Sequence, residues 1–175
     1  MTLDDGAGAT GLTSLTLNGT SAQTVAGAIN GGAAGEGSIN VNNASGATFS
    51  GIIGGVAKVG AINVGTTDAA NSKATFQNTV TATKVVLGNG GATADTNTLT
   101  LDATTNNFTI TGTVDGSATD TDNVVIAGGT GKTVTTASAW GGTSALQSVT
   151  INAGTTLAAG ASINGTAFNL GTNSE

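Results

Sequence analysis

The sequence predicts an all-β chain wound as a parallel β-solenoid, and three observations carry that expectation. Triplets of apolar-x-apolar followed by a small or amide residue recur along it: Leu15-Thr16-Leu17-Asn18, Ile39-Asn40-Val41-Asn42, Leu99-Thr100-Leu101-Asp102, Phe108-Thr109-Ile110-Thr111 and Val149-Thr150-Ile151-Asn152. The third-place residues Leu17, Val41, Val64, Leu87 and Ile110 fall 24, 23, 23 and 23 positions apart, and a fixed period in the twenties marks stacked repeats. Residues 47–91 then write one pattern twice. Ala47-Thr48-Phe49, Ile53, Lys58-Val59 and Ile62-Asn63-Val64-Gly65 make the first copy. Ala74-Thr75-Phe76, Val80 and Lys84-Val85-Val86-Leu87-Gly88 make the second, about three residues shorter.

Each unit of about 23–25 residues holds short strands joined by Gly and Asn turns, and cannot bury its own apolar row. Stacking like positions about 4.8 Å apart pairs the backbone with the next coil and lays Val on Val and Phe on Phe. About seven coils would fill residues 1–175 as one repeat-built domain. An antiparallel β-sandwich is the alternative, but it has no reason to repeat every 23 residues.

Taken in order, residues 1–11 are Gly- and Asp-rich and read as an irregular lead-in. Leu15 and Leu17 alternate with Thr16, the period of a half-buried strand. Residues 22–29 space Val25 and Ile29 four apart, as a helical turn would, yet the flanking Gly favour extended chain. Residues 30–37 form a Gly-rich turn. Between the two copies, 66–72 is a loop free to vary in length. Residues 98–114 are the longest β-like stretch, with Leu99, Leu101, Phe108, Ile110 and Val114 facing inward. Residues 124–126 and 149–151 are rungs 25 apart, as are Leu101 and Ile126. Residues 133–142 break the pattern, and Ala137-Ser138-Ala139-Trp140 reads as a helical turn or inserted loop. Leu157, Ile163, Phe168 and Leu170 belong to a terminal coil.

Composition narrows the function. Of 175 residues, 29 are Gly and none is Pro; four Phe, one Trp and no Tyr leave a thin aliphatic core. Four cationic residues against ten acids give a net charge of −6, which argues against nucleic acid and against anionic membrane surfaces. A low-charge Thr/Asn-rich surface is typical of extracellular bacterial coat and adhesin proteins, so the expected location is extracellular or on the cell surface. No stretch approaches the roughly 18 apolar residues of a membrane span, so no membrane insertion is expected. Met1-Thr2-Leu3-Asp4-Asp5 has neither a basic nor an apolar signal region; a removed signal, another export route or an excised fragment would reconcile this with export.

Few motifs offer chemistry. Without His, Cys, Tyr or Arg, triads, zinc sites and most general bases are missing, so no enzyme and no cofactor are expected. A carboxylate-pair glycosidase would need an aromatic sugar platform, for which only Trp140 is present. Gly6-Ala7-Gly8-Ala9-Thr10-Gly11 satisfies G-x-G-x-x-G but lacks the strand and helix that give it meaning. Gly129-Thr130-Gly131-Lys132-Thr133 misses a phosphate loop, because Ile126 stands where the first Gly is required.

The ion candidate is the loop 115–123, where Asp115, Asp120, Asp122 and Asn123 offer the hard oxygen ligands Ca²⁺ takes. A solvated acidic turn is the first reading there and a calcium site the second. Lys58 and Lys84 hold equivalent places in the two copies and should stack or nearly stack, with Glu36, Asp68 or Asp95 as partners. Thr-x-Thr steps such as Thr109/Thr111/Thr113 resemble the hydroxyl ranks of ice-binding solenoids. They do not recur at one point of each coil, so Thr as β-branched strand filler is preferred.

The stretch Ala74-Thr75-Phe76-Gln77-Asn78-Thr79-Val80-Thr81-Ala82-Thr83-Lys84-Val85-Val86-Leu87-Gly88-Asn89-Gly90-Gly91 resembles the passenger repeats of rickettsial surface-antigen autotransporters. Large alphaproteobacterial surface-layer and adhesin-like proteins have a similar texture. The resemblance covers 47–91, and the rest only in composition. It implies secretion, a β-helical passenger, and coating or adhesion.

Three functions follow as expectations. The first is a self-associating structural subunit of a surface coat or filament, its partner another copy of itself. Its unpaired end strands would meet through Leu12, Leu15 and Leu17 at one end and Phe168 and Leu170 at the other. The second is an adhesin segment holding a surface glycan or host protein through its loops, with Trp140 as the exposed anchor. The third is ice binding.

Overall fold

The computed structural model describes residues 1–6, 13–67, 71–88, 91 and 94–175. Among these no helix forms, and the strands in chain order are β1 (Thr2–Leu3), β2 (Ser14–Leu17), β3 (Gln23–Val25), β4 (Asn30–Gly31), β5 (Glu36–Val41), β6 (Ala47–Phe49), β7 (Val59–Val64), β8 (Lys73–Phe76), β9 (Val80–Leu87), β10 (Thr96–Ala103), β11 (Phe108–Asp115), β12 (Thr121–Gly128), β13 (Lys132–Thr136), β14 (Leu146–Ile151), β15 (Thr155–Ala159) and β16 (Gly165–Leu170). They stack in parallel as two seven-stranded sheets, β16-β14-β12-β10-β8-β6-β3 and β15-β13-β11-β9-β7-β5-β2, with β1 on β4 as a short third. Seven strands per sheet mark about six turns of a β-solenoid.

The alternating triplets put one residue in two inward, as over Thr96–Ala103 of β10, and stacking turns those residues into vertical files. In the first sheet one file runs Val25, Phe49, Phe76, Leu101, Ile126, Ile151, Leu170. Phe49 and Phe76 stack with ring centroids 5.0 Å apart, a contact that adds about 0.5–1.5 kcal/mol beyond burial. Opposite them stands the file Leu15, Ile39, Ile62, Val85, Val114, Trp140, Ile163. A third file, Ile29, Ile53, Val80, Ile110, Thr136, Ala159, closes the core. No coil supplies more than one residue to each file, so burial is gained only by stacking.

The period is not constant. Val41, Val64 and Leu87 stack as the 23-residue spacing expects. Ile110 does not follow Leu87; it lies on Val80, while Val114 lies on Val85, 29 positions earlier. The longer strands β10 and β11 and the segment preceding β10 lengthen that coil. At the same place β9 carries a bulge: the register shifts between Thr111 and Thr113, around Gly112 at φ 119°. Long strands thereby bend from one face to the next.

The tandem copies stack too, Ala47-Thr48-Phe49 on Ala74-Thr75-Phe76. Their length difference lies in one loop. Ile53 pairs with Val80 and Val59 with Ala82, so six residue steps oppose two, and the surplus protrudes with Val56 92% exposed at its tip. This overturns the expected lysine stack, for Lys84 faces Ala61 while Lys58 precedes Val59, the partner of Ala82. The expected irregularity over 133–142 is corrected as well: β13 is a regular rung and Trp140 a bridge residue in the core.

Candidate functional site

Two places gather the residues singled out by chemistry: the acidic corner leading into β12, and the ends of the solenoid. At the corner, chain reversal between sheets leaves backbone N–H groups that the carboxylates satisfy. The Asp122 carboxylate, 1% exposed, accepts the Ser117 N–H at 2.6 Å on Oδ2 and the Asn97 amide at 3.2 Å on Oδ1. Asn97 in turn accepts the Ser72 N–H at 3.3 Å. Ser72, Asn97 and Asp122 are therefore one buried polar file, spaced by 25 like the apolar ones. That spacing is present in the sequence, but polar residues carry no apolar alternation to mark them as inward-facing.

Asp120 Oδ1 accepts the Asp95 N–H at 3.2 Å, and Asp115 accepts the Thr143 N–H at 2.9 Å. Asn123 accepts the Ser148 hydroxyl at 2.6 Å. The four expected calcium ligands are thus drawn onto donors from several rungs, and they do not make up a group of acids with mutually close oxygens. Burial pushes the Asp122 carboxyl above its ordinary range, more than the bonds from Ser117 and Asn97 pull it down. Asp102 goes the other way. Burial raises it, but bonds from the Gln77 amide and from Thr104 outweigh that and hold it below the ordinary value.

A group of three close acids does occur elsewhere: Asp4, Asp5 and Glu36 bring one oxygen each within 4.8 Å of the others. Glu36 is buried, and its two oxygens accept the Ala33 N–H at 2.6 Å and the Asp5 N–H at 3.1 Å. It ties the lead-in to the first corner, which is a structural use of the carboxylate and not the lysine pairing expected of it.

Trp140 is 0% exposed, which overturns its expected role as an exposed ligand anchor. Its bridges to Val114 and Ile163 place the indole in a core file, where the largest side chain of the protein is covered from both sides. Its Nε1–H finds no hydrogen-bond partner among the described residues, so the indole is held by packing alone.

At the ends, Leu17 is buried and Leu15 half-buried, while Phe168 and Leu170 are 51% and 67% exposed. Leu12 lies outside the described residues, as do 68–70 of the loop 66–72, Asp68 among them, and 7–11 of the glycine motif. Phe168 and Leu170 occupy core files, on Val149 and Ile151, with one side left bare. Beside the C-terminal turn, an open depression of about 410 Å³ is lined by residues that include Gly131, Gly154, Asn173 and Glu175. On the outer face of the first sheet, Thr24, Thr48, Thr75 and Thr100 form a file that resumes at Thr150 after Val125. A single threonine position thus recurs in most coils, running across the strands, while the Thr-x-Thr steps along them do not repeat: Thr98 lies between Lys73 and Asn123.

The fold and these surfaces define the class, a parallel β-solenoid with a largely aliphatic core and exposed apolar side chains on its C-terminal strand β16. No family model, no curated protein and no solved structure matches the chain.

Proposed function

We propose that the protein is a non-enzymatic, secreted structural protein, a self-associating subunit of a bacterial cell-surface coat or extracellular filament. The observation that carries this reading is the C-terminal rung, where Phe168 and Leu170 sit on core files with their upper sides in solvent. An end strand with free N–H and C=O groups and bare apolar side chains is a template for another strand. Joining unlike ends is heterologous and does not close, so it gives filaments. A sequence without His, Cys, Tyr or Arg supports a non-catalytic role, and its few charges oppose close contact weakly.

Negative-stain electron microscopy of the purified chain, in calcium and again in chelator, tests the proposal. Ordered filaments or sheets are expected in both, since the acids of the corner are already satisfied by protein donors. Discrete short rods in both would overturn it. The threonine file favours ice binding as a second reading, behind the first because Val125 interrupts it. A freezing assay without thermal hysteresis would dismiss that reading.

A further inference from the structure

The two ends fit each other in register, and this inference rests on the self-association proposed above. At the C-terminal end the chain has already begun another rung. The turns before β13 and β15 close by bonds from Lys132 N–H to Gly129 and from Thr155 N–H to Asn152, with Gly131 and Gly154 both at φ 74°. A third such turn follows β16: Ser174 N–H bonds to Gly171, with Asn173 at φ 56° in the glycine's place. That left-handed position suits Gly or Asn and few other residues. Glu175 then lies opposite Thr156, through bonds from its N–H to Thr155 and from Leu157 N–H to its carbonyl.

At the other end, Thr2 pairs with Asn30, which puts Met1 on the file of Ile29. That file ends at Ala159, three residues beyond Thr156. A second copy continuing the winding would therefore bring its Met1 to the same rung as Glu175, three residue steps or about 10 Å further along. The same step lays Leu15 on Ile163, Val25 on Leu170, and Thr24 on Asn169.

We infer that copies of this chain join head to tail by one uninterrupted turn of the solenoid, with β3 of one copy seated in parallel on β16 of the next. The occupant of the bare end is thus a second copy of the chain, and the pairing register is the one just given.

Because the chain has no cysteine, Thr24→Cys and Asn169→Cys, both outward-facing and exposed, each carry a single thiol. Neighbouring parallel strands put such a pair within the Cα separation a disulfide needs. The two variants, folded by circular dichroism, are mixed under mild oxidation alongside a Thr16→Cys and Asn169→Cys mixture. About tenfold more disulfide dimer is expected from the 24/169 mixture than from 16/169 or either variant alone. Assemblies that sediment and show by microscopy but do not give this preference would overturn the register and leave self-association standing. Failure of the unsubstituted chain to sediment as assemblies would overturn both.

Discussion

A buried tryptophan with an unpartnered N–H is judged by what surrounds it. Trp140 fills a place held by Val114 one rung below and Ile163 one rung above. Truncating it would leave a cavity across three rungs, so Trp140→Ala should destabilise by about 3–5 kcal/mol. Trp140→Phe gives up no hydrogen bond and should cost far less. Urea unfolding followed by circular dichroism checks both, and an alanine variant as stable as the parent would sink the packing account. The exposed-anchor expectation failed for a physical reason: a lone Trp in an Ala/Ser/Gly segment carries no periodic signal, and only the neighbouring rungs show which way it faces.

At the scale of elements, the corners decide more than the strands. Strand stacking repeats almost automatically, whereas each corner must find partners for the backbone N–H groups it buries. The file Ser72, Asn97, Asp122 does this as a chain of donors and acceptors that ends on the Asp122 carboxylate. Its raised pKa sets a sign. Folded Asp122 holds its proton above 3.8, the ordinary value, where the unfolded chain has released it. The native state then binds more protons, so its stability contribution is full below that value and is lost as pH rises through the folded pKa. Unfolding of parent and Asp122→Asn between about pH 4 and pH 7 should show the parent's relative stability falling as pH rises. A pH-independent difference would refute it.

Across the whole molecule, stability is a sum over neighbouring rungs, and the terminal rungs have one neighbour instead of two. Under the proposed self-association, a second copy would supply the missing one. Removing the apolar edge should then leave soluble single rods: Phe168→Lys with Leu170→Lys changes exposed side chains and should abolish the filaments while circular dichroism stays that of the parent. Filaments undiminished in this variant would show that the copies meet elsewhere.

The sequence by itself determined the fold class and most of the core. Alternation within triplets selects the buried face of a strand, and a period in the twenties selects stacking, so Leu17, Val41, Val64 and Leu87, or Leu101, Ile126 and Ile151, could be aligned from spacing alone. Tertiary structure decided what spacing cannot carry. Loop lengths shift the register, which is why Ile110 rests on Val80 and the two lysines never stack. Contacts between rungs turned scattered threonines into a file and Trp140 inward. They also took the acids of 115–123 as hydrogen-bond acceptors for neighbouring corners. A one-dimensional period reports which residues are alike; which residues touch depends on the length of every turn between them.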